Sequence, residues 1–279
     1  MVVNRWLASV VWLVGGAAAV ADDALTYSSV VRTEPRPLRI HVLKLDLESG
    51  EYQPVVVVNA DPDGDGPAEA ALEPPEAIAS RAGLVAAVNS AVFGGLPDAS
   101  GKRSDQWAVG MPVEILGWTV ADGRERSGFE RGRGNLWFDA TGRPGMAADS
   151  KGVGGGVANV RQATAGFGML LVDSEIRAGE GGPLHPRTAA GIDRDGKTLI
   201  LVVVDGRQPG LSEGVRDREL ATFMKESGCD DAINLDGGGS SVMLISDAGG
   251  SGPVAPRVVN SPSGGSPRPL PVLLGIRRK

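Results

Sequence analysis

The stretch Asn234-Leu-Asp-Gly-Gly-Gly-Ser-Ser241 lies between short apolar segments at 232–233 and 242–245. This pattern predicts a strand, a glycine turn and a second strand. Consecutive glycines permit positive φ and the close approach of another molecule, and their amide groups can converge on an anion. The turn also carries the carboxylate of Asp236 and two hydroxyls. A glycine-rich hairpin with a solvated aspartate is the alternative, because short motifs of this kind often occur without a function.

A second apolar run, Thr198-Leu-Ile-Leu-Val-Val-Val204, ends at Asp205. It is typical of a strand that is buried on both faces. Residues 213–227 have apolar side chains at helical spacing, with Gly228 as the helix stop. Strand, helix and strand within 198–235 then predict a βαβ unit with two parallel strands. We therefore expect a mixed α/β fold, a single domain built on a central mixed sheet with many short strands and turns.

Two aspartates mark the ends of the predicted parallel strands. Asp205 and Asp236 would both follow a carboxyl end, and open α/β sheets bind their ligands at that edge. If the strands are neighbours, about 4.8 Å apart, both carboxylates can face one pocket together with Arg187.

Further blocks of sequence accompany the glycine turn. His185-Pro-Arg-Thr-Ala-Ala-Gly-Ile-Asp193 and Val204-Asp-Gly-Arg207 precede it, and the tail contains Val258-Val-Asn-Ser-Pro262 and Arg268-Pro269. In order and spacing these blocks resemble those of the phosphodiester glycosidase family, over residues 38–276. The resemblance implies a hydrolase that cleaves the glycosidic bond of a sugar-1-phosphodiester, releasing free sugar and a phosphomonoester.

The residues of this implied site have separate roles. Glycoside cleavage passes through an oxocarbenium-like transition state that carboxylates stabilise, and Asp236 and Asp205 are the predicted catalytic pair. His185 is a candidate general acid or base near neutral pH. Arg187 is predicted to bind phosphate oxygens in a bidentate manner. A structural ion pair of Arg187 with Asp193 or Asp205 is the alternative.

The predicted substrate-binding residues come from the same blocks. In the family, a motif of the Asn-Gly-x-Phe-Phe type helps to form the pocket; Asn89 and Phe93 fit it, whereas Ser90 replaces its glycine. The complete predicted binding set is Arg187, Thr188, Asn234, Gly237, Gly238, Gly239, Ser240, Ser241, Arg207 and Asn89.

Two other functions fit the same residues. A serine-type hydrolase would use Ser240 or Ser241 as nucleophile, His185 as base and Asp205 to orient it. The G-x-S-x-G elbow of such enzymes is missing, because the hydroxyls follow three glycines. A non-catalytic module that binds phosphoglycans would use the acidic pair only to shape its pocket.

Composition limits the remaining classes. The chain has 279 residues, a formal net charge of −6, one cysteine and two histidines. No basic cluster is present, so no nucleic acid partner is expected. A single cysteine forms no internal disulfide, and the usual zinc ligands are too few. We expect no required cofactor.

An acidic loop is the one candidate for a metal. Asp61, Asp63 and Asp65 alternate before Gly66, as in a calcium loop, but Leu72 stands where the bidentate glutamate belongs. An acidic surface turn is the favoured interpretation, and calcium binding is the alternative.

The N-terminus predicts export. Residues 1–21 combine Arg5, an apolar run at 6–18 and the cleavage site Ala19-Val-Ala21, as secretory signal peptides do. We expect a mature chain that begins at Asp22 with an N-terminal extension, 22–37, before the glycosidase-like domain, 38–279. The mature protein would lie in the periplasm or outside the cell, with no membrane span and a phosphorylated glycan or sugar-1-phosphodiester as its substrate. The sequence leaves its oligomeric state open.

Overall fold

The computed structural model describes residues 21–153, 156–246 and 256–279, with the backbone alone for 21–22. The predicted signal peptide, apart from its last residue, lies outside the described residues. No described helix is long and apolar enough to span a membrane.

The described chain is built mainly from antiparallel strands. It contains two α-helices, α1 (Pro75–Arg81) and α2 (Asp217–Glu226), and short 3₁₀ helices at Ser150–Gly152, Val157–Asn159 and Gly238–Ser240. The strands are β1 (Ala21–Asp22), β2 (Leu25–Arg32), β3 (Leu38–Asp46), β4 (Tyr52–Val58), β5 (Ala70–Ala71), β6 (Ala86–Asn89), β7 (Val92–Gly95), β8 (Pro112–Leu116), β9 (Thr119–Ala121), β10 (Arg124–Ser127), β11 (Gly134–Asp139), β12 (Pro144–Ala147), β13 (Val160–Gly166), β14 (Gly168–Val172), β15 (Glu175–Ile176), β16 (Arg187–Ile192), β17 (Thr198–Val204), β18 (Asp231–Asn234), β19 (Met243–Ile245), β20 (Arg257–Val258) and β21 (Val272–Arg278).

The largest sheet corrects the predicted topology. Its order is β1-β2-β3-β17-β16-β18-β14-β15, and all neighbouring strands are antiparallel. The prediction of a central mixed sheet with adjacent parallel strands is therefore wrong. The apolar run of β17 correctly indicated a strand that is buried on both faces. An antiparallel sheet that is covered by a layer on each side buries its strands in the same way, so the run did not indicate strand direction.

The predicted βαβ unit placed Asp205 and Asp236 at one edge of the sheet, and this placement is correct although the strands are not neighbours. β17 and β18 are each antiparallel to β16, which lies between them, so they run parallel to each other two strand spacings apart, about 9.6 Å. Asp205 and Asp236 therefore follow strands that end at the same edge of the sheet. Arg187 pairs with Val204 at the start of β16, so it lies at this edge too.

A second sheet packs face to face on the first. Its order is β20-β19-β6-β21-β4, and the apolar core between the sheets contains Leu201 and Val203 from one and Val88 and Leu274 from the other. Burial of this apolar area is the main stabilising term for such a sandwich. β6 ends at Asn89, beside the start of β19 and β21, so both sheets end at the glycine turn.

Helix α2 covers the outer face of the first sheet. Its buried residues Leu220, Ala221 and Met224 join a cluster with Val202. The helix begins at Asp217, later than the predicted 213, because the preceding residues pair with other segments; the Val215 amide, for example, donates to the carbonyl of His185.

Other elements complete the remaining faces. α1 and the sheet β5-β8-β7 cover the second sheet, and the sheet β10-β9-β13-β11-β12 has its own cluster around Trp118 and Trp137. The predicted N-terminal extension, 22–37, contains β2, which pairs with β3 along its whole length.

Candidate active site

Hydrogen bonds from residues at the end of β6, in the second sheet, hold the backbone of the glycine turn. The Asp236 amide donates to the carbonyl of Ser90 at 3.0 Å, and Asn89 Nδ2 donates to the carbonyl of Asp236 at 2.5 Å. Asn89 Oδ1 accepts from Thr188 Oγ1 at 2.7 Å and from the Val242 amide at 3.1 Å. Asn89 and Thr188 are buried and brace the turn through these bonds; their contact with substrate stays a prediction.

Ser90 fits where the family motif has glycine. Its φ is not positive, and its buried hydroxyl lies 2.7 Å from Thr164 Oγ1. The substitution therefore leaves the turn that carries Asp236 in place.

Asp236 is the carboxylate that faces the site. It is partly buried, and desolvation raises its pKa to about 6, although hydrogen bonds from Ser240 and the Gly237 amide and the charges of Arg268 and Arg133 oppose this rise. The Gly237 amide donates to Oδ1 at 2.9 Å. A carboxyl group with a pKa near 6 is suited to proton transfer or charge stabilisation close to neutral pH.

Two of the three glycine amide groups donate hydrogen bonds within the protein and are not free to bind a ligand. The Gly237 amide is used by Asp236, and the Gly238 amide donates to the carbonyl of Pro186 at 2.9 Å. The predicted phosphate nest of Gly237–Gly239 amides is therefore wrong for two of its three members. A Cβ on Gly239 would lie 2.4 Å from Arg268 Nη2, and one on Gly238 would lie 3.1 Å from Arg207 Nη2.

Two arginines thus lie directly over the glycine turn. Arg268 donates to Ser240 Oγ at 3.2 Å, and its Cζ lies over the ring of Trp107, 5.5 Å from the centroid. Burial lowers the pKa of Arg268, Asp236 opposes this and the charge of Arg207 lowers it further. Arg207 is exposed and has φ of 58°, a strained conformation for a non-glycine residue that is often found at functional sites.

The charge of Asp236 acts on Arg268, but Asp236 forms no close ion pair with either guanidinium group. In the described part of the chain neither Arg207 nor Arg268 forms a salt bridge, whereas the neighbouring Arg133 pairs with Glu130 at 2.9 Å. Two positive groups that are held near each other and form no close ion pair favour the binding of an anion.

Arg187 is held away from this role. It is buried, and its Nη2 lies 3.0 Å from Asp217 Oδ1, while Nε and Nη2 also donate to the carbonyls of Val215 and Pro183. The alternative prediction of a structural ion pair describes these contacts better, but with Asp217 as partner in place of Asp193 or Asp205. Asn234 is also buried and donates to Asp217 at 3.2 Å.

Asp205 does not open into the site. It is 1% exposed; its Oδ1 accepts from Asn260 Nδ2 at 3.0 Å and from the Ser261 amide at 2.9 Å, and its Oδ2 lies 3.2 Å from His41 Nε2. The prediction of two carboxylates facing one pocket is wrong for this residue, because β16 separates the strands and the tail segment covers Asp205.

The parts of the alternative serine triad are not assembled. Ser240 and Ser241 are buried, and His185 Nδ1 lies 3.2 Å from Arg207 Nη2. Desolvation, Arg207 and Arg187 lower the pKa of His185, so the imidazole is neutral at pH 7. Asp205, the predicted orienting residue, contacts His41 instead.

In the acidic loop, the Asp61 carboxylate accepts hydrogen bonds from backbone amides of the loop itself. Asp61 Oδ1 accepts from the amides of Asp63 and Gly64 at 3.1 and 2.8 Å, as aspartates in turns do. Within residues 21–153, 156–246 and 256–279, no group of three or more His, Cys, Asp or Glu side chains is placed to hold a metal. Calcium binding at Asp61, Asp63 and Asp65 stays a prediction.

A protein-family model matches most of the chain, including the glycine turn and the segments around it. The model of the phosphodiester glycosidase family (NAGPA) matches residues 82–277. The chain belongs to this family. The resemblance inferred from the sequence motifs is thereby confirmed.

Similar proteins show how far the likeness extends. A hypothetical protein from Synechocystis superposes with a TM-score of 0.63 at 12% identity, covering 92% of this chain and 62% of that one. The catalytic domain of zebrafish N-acetylglucosamine-1-phosphodiester alpha-N-acetylglucosaminidase, auto-inhibited by its pro-peptide, superposes with a TM-score of 0.62 at 20% identity, covering 94% and 86%. At these identities the likeness is one of fold.

A curated relative matches only locally. The SPbeta prophage-derived uncharacterized protein YomE of Bacillus subtilis (strain 168) is 41% identical over 61 residues, which are 22% of this chain and 9% of that protein. The match therefore covers about a fifth of this chain and less than a tenth of that relative.

Sequence reasoning missed several residues of this phosphodiester glycosidase site. Arg268 appeared only as part of a matching tail block, and Arg133 gave no signal. Arg133 precedes β11 and Arg268 precedes β21, so neither is near the glycine turn in sequence. Only the ends of separate sheets bring them to Asp236.

The pKa of Asp236 gives a first prediction. We expect kcat/KM for glycoside cleavage to fall as pH drops below about 6, because burial raises the pKa to that value and protonation removes the negative charge on which the catalytic role predicted for Asp236 depends. A pH–rate profile measured under kcat/KM conditions tests this. A profile that stays level on the acid side of pH 6 would contradict an ionised Asp236.

Proposed function

We propose that this phosphodiester glycosidase hydrolyses the bond between a sugar anomeric carbon and the oxygen of a phosphodiester, yielding free sugar and a phosphomonoester. One observation carries the proposal: Asp236, with its raised pKa, interacts with the charge of Arg268, and the guanidinium groups of Arg268 and Arg207 both lie over the glycine turn that carries Asp236.

The two arginines would bind the phosphate. A phosphodiester carries one negative charge, and a second develops on the leaving oxygen as its bond to the anomeric carbon breaks. Guanidinium groups that are already in place stabilise this charge without reorganisation. The phosphate-binding role predicted for Arg187 thus passes to Arg207 and Arg268.

Asp236 would act at the anomeric carbon. Its carboxylate stabilises the positive charge of the oxocarbenium-like transition state. The electron pair of the broken C–O bond goes to the phosphate oxygen, and water supplies the oxygen of the new sugar hydroxyl. Because phosphate is already a good leaving group, the reaction depends less on a strong general acid than hydrolysis of an alkyl glycoside does.

The raised pKa of Asp236 favours an enzyme over a phosphoglycan-binding module. A module needs the positive charges but gains nothing from a carboxyl group that is desolvated beside the anion. Turnover separates the two functions.

A substrate screen tests the proposal directly. Purified mature protein is incubated with a panel of sugar-1-phosphodiesters, with neutral aryl glycosides and with a sugar-free aryl phosphodiester, and products are identified by mass. We expect free sugar and phosphomonoester from the first class, with 18-oxygen from labelled water in the sugar. Label in the phosphate, or cleavage of the sugar-free diester, would indicate a phosphodiesterase that attacks phosphorus and would sink the glycosidase proposal.

We also propose that the protein is exported, because of the signal pattern at 1–21. Intact mass of the secreted protein tests this: it should begin at Asp22, and a chain that retains Met1 would contradict export with cleavage.

A further inference from the structure

Asp205 joins the two segments that carry the arginines. Arg207 lies two residues beyond it, and the Ser261 amide and Asn260 Nδ2, in the segment leading to Arg268, both donate to its Oδ1. Gln208 and Ser261 also exchange hydrogen bonds, at 2.8 and 3.0 Å. Asp205 therefore lies at the point where these segments are tied together.

The same residue reaches the glycine turn through Asn260. Asn260 Nδ2 donates to the carbonyl of Ser241 at 3.2 Å, and its Oδ1 accepts from the Met243 amide at 2.9 Å. A rotation of the Asp205 carboxylate would thus disturb both arginine segments and the strand that follows the turn.

A histidine and a tyrosine hold the other side of this carboxylate. His41 is buried, with Nε2 3.2 Å from Asp205 Oδ2, and Tyr27 Oη lies 2.9 Å from His41 Nδ1. The two rings are stacked, with an interplanar angle of 12°. Both residues lie outside the segment 82–277 that the family model matches.

We propose that Tyr27 and His41 are positioning residues that set the phosphate-binding arrangement of Arg207 and Arg268 through Asp205. A neutral imidazole donates from one nitrogen and accepts at the other. When the Tyr27 hydroxyl donates to Nδ1, the proton of His41 is placed on Nε2, facing Asp205. Without that hydroxyl the other tautomer is accessible, and it would set a nitrogen lone pair against the carboxylate.

The functional part of this inference rests on the proposed phosphate site, so its test has two readouts. Tyr27→Phe removes only the hydroxyl group. Tyr52→Phe is the matched control, because the Tyr52 hydroxyl accepts from Arg278 at 3.0 Å at the end of β4 that is away from the site. The first readout is hydrogen exchange of the Ser261 amide, which donates to Asp205. The second is the inhibition constant of inorganic phosphate against phosphodiester turnover.

We expect Tyr27→Phe to speed exchange at Ser261 and to raise the phosphate inhibition constant about five-fold, the equivalent of one hydrogen bond, with kcat changed less. Tyr52→Phe should change neither. Equal exchange in the two variants would overturn the positioning role, and faster exchange with an unchanged inhibition constant would overturn its link to phosphate. If the wild-type enzyme cleaves no phosphodiester, the proposed function fails, while the exchange comparison still decides whether Tyr27 orients Asp205.

Two His41 variants give an independent check. A Gln side chain can keep an N–H donor near the position of Nε2, whereas Ala cannot. His41→Gln should therefore retain most of the wild-type phosphate affinity, and His41→Ala should lose it. Equal losses in two variants of equal thermal stability would show that the donor to Asp205 has no positioning role.

Discussion

Asp236→Asn is expected to lower kcat by on the order of 10³-fold, with a much smaller change in KM. The substitution keeps the shape of the side chain and removes the charge that stabilises the oxocarbenium-like transition state. A group that acts mainly in the transition state is lost from kcat, and a preorganised electrostatic contact in an active site contributes about 10²–10³-fold or more. The measurement is steady-state kinetics on a sugar-1-phosphodiester.

Asp46→Asn provides a matched control. Asp46 pairs with Thr198 at the far end of β3, while Ile40 at the site end pairs with Val204, so the same chemical change is made at the opposite edge of the sheet. The control should retain wild-type kcat. Near-normal kcat in a folded Asp236→Asn protein would remove Asp236 from the mechanism.

The same variant should be more stable than wild type at neutral pH. A carboxyl group whose pKa is raised on folding binds its proton more tightly in the native state, so it costs stability as pH rises from about 4 to about 6. Asparagine carries no such cost. Because Asp236 is only partly buried, we expect a gain of about 1–2 kcal/mol above pH 6, measured by denaturant unfolding, and none near pH 4.

Arg268→Ala should reduce kcat/KM for a sugar-1-phosphodiester by about 10²-fold, the value of charge-assisted hydrogen bonds to one phosphate. It should affect a neutral aryl glycoside of the same sugar far less. Arg268→Lys should recover only part of the loss, because lysine keeps the charge but cannot reproduce a bidentate contact with phosphate.

Arg194→Ala is the control for this series. Arg194 is 77% exposed and pairs with Asp230, beyond the end of β16 that is opposite Arg187. It should leave both substrates unaffected. If Arg268→Ala reduces the charged and neutral substrates equally, Arg268 supports the turn through Ser240 and Trp107 and the phosphate role assigned to it fails.

Local sequence was sufficient for the glycine turn and its aspartate. The run that forms β17 and the short segment that forms β18 are β-branched and aliphatic, and their strand character follows from nearby residues alone. The motif blocks also identified the family correctly, because backbone turns with close contacts tolerate few residue types. Gly206 illustrates this, since a Cβ there would lie 2.6 Å from the backbone nitrogen of Pro186.

Sequence by itself therefore determined the strands on either side of the glycine turn and at 198–204, the position of the turn, and that Asp205 and Asp236 follow strands ending at one edge. Tertiary structure alone decided that β16 separates those strands and that Asp205 is covered by Asn260 and Ser261. It also decided that the guanidinium group of Arg268 lies over the turn, while that of Arg187 pairs with Asp217. The physical reason is that strand direction, the partner of an ion pair and the burial of a carboxylate depend on contacts between residues far apart in the chain. An apolar run indicates how deeply a strand is buried, but not which strand pairs with it.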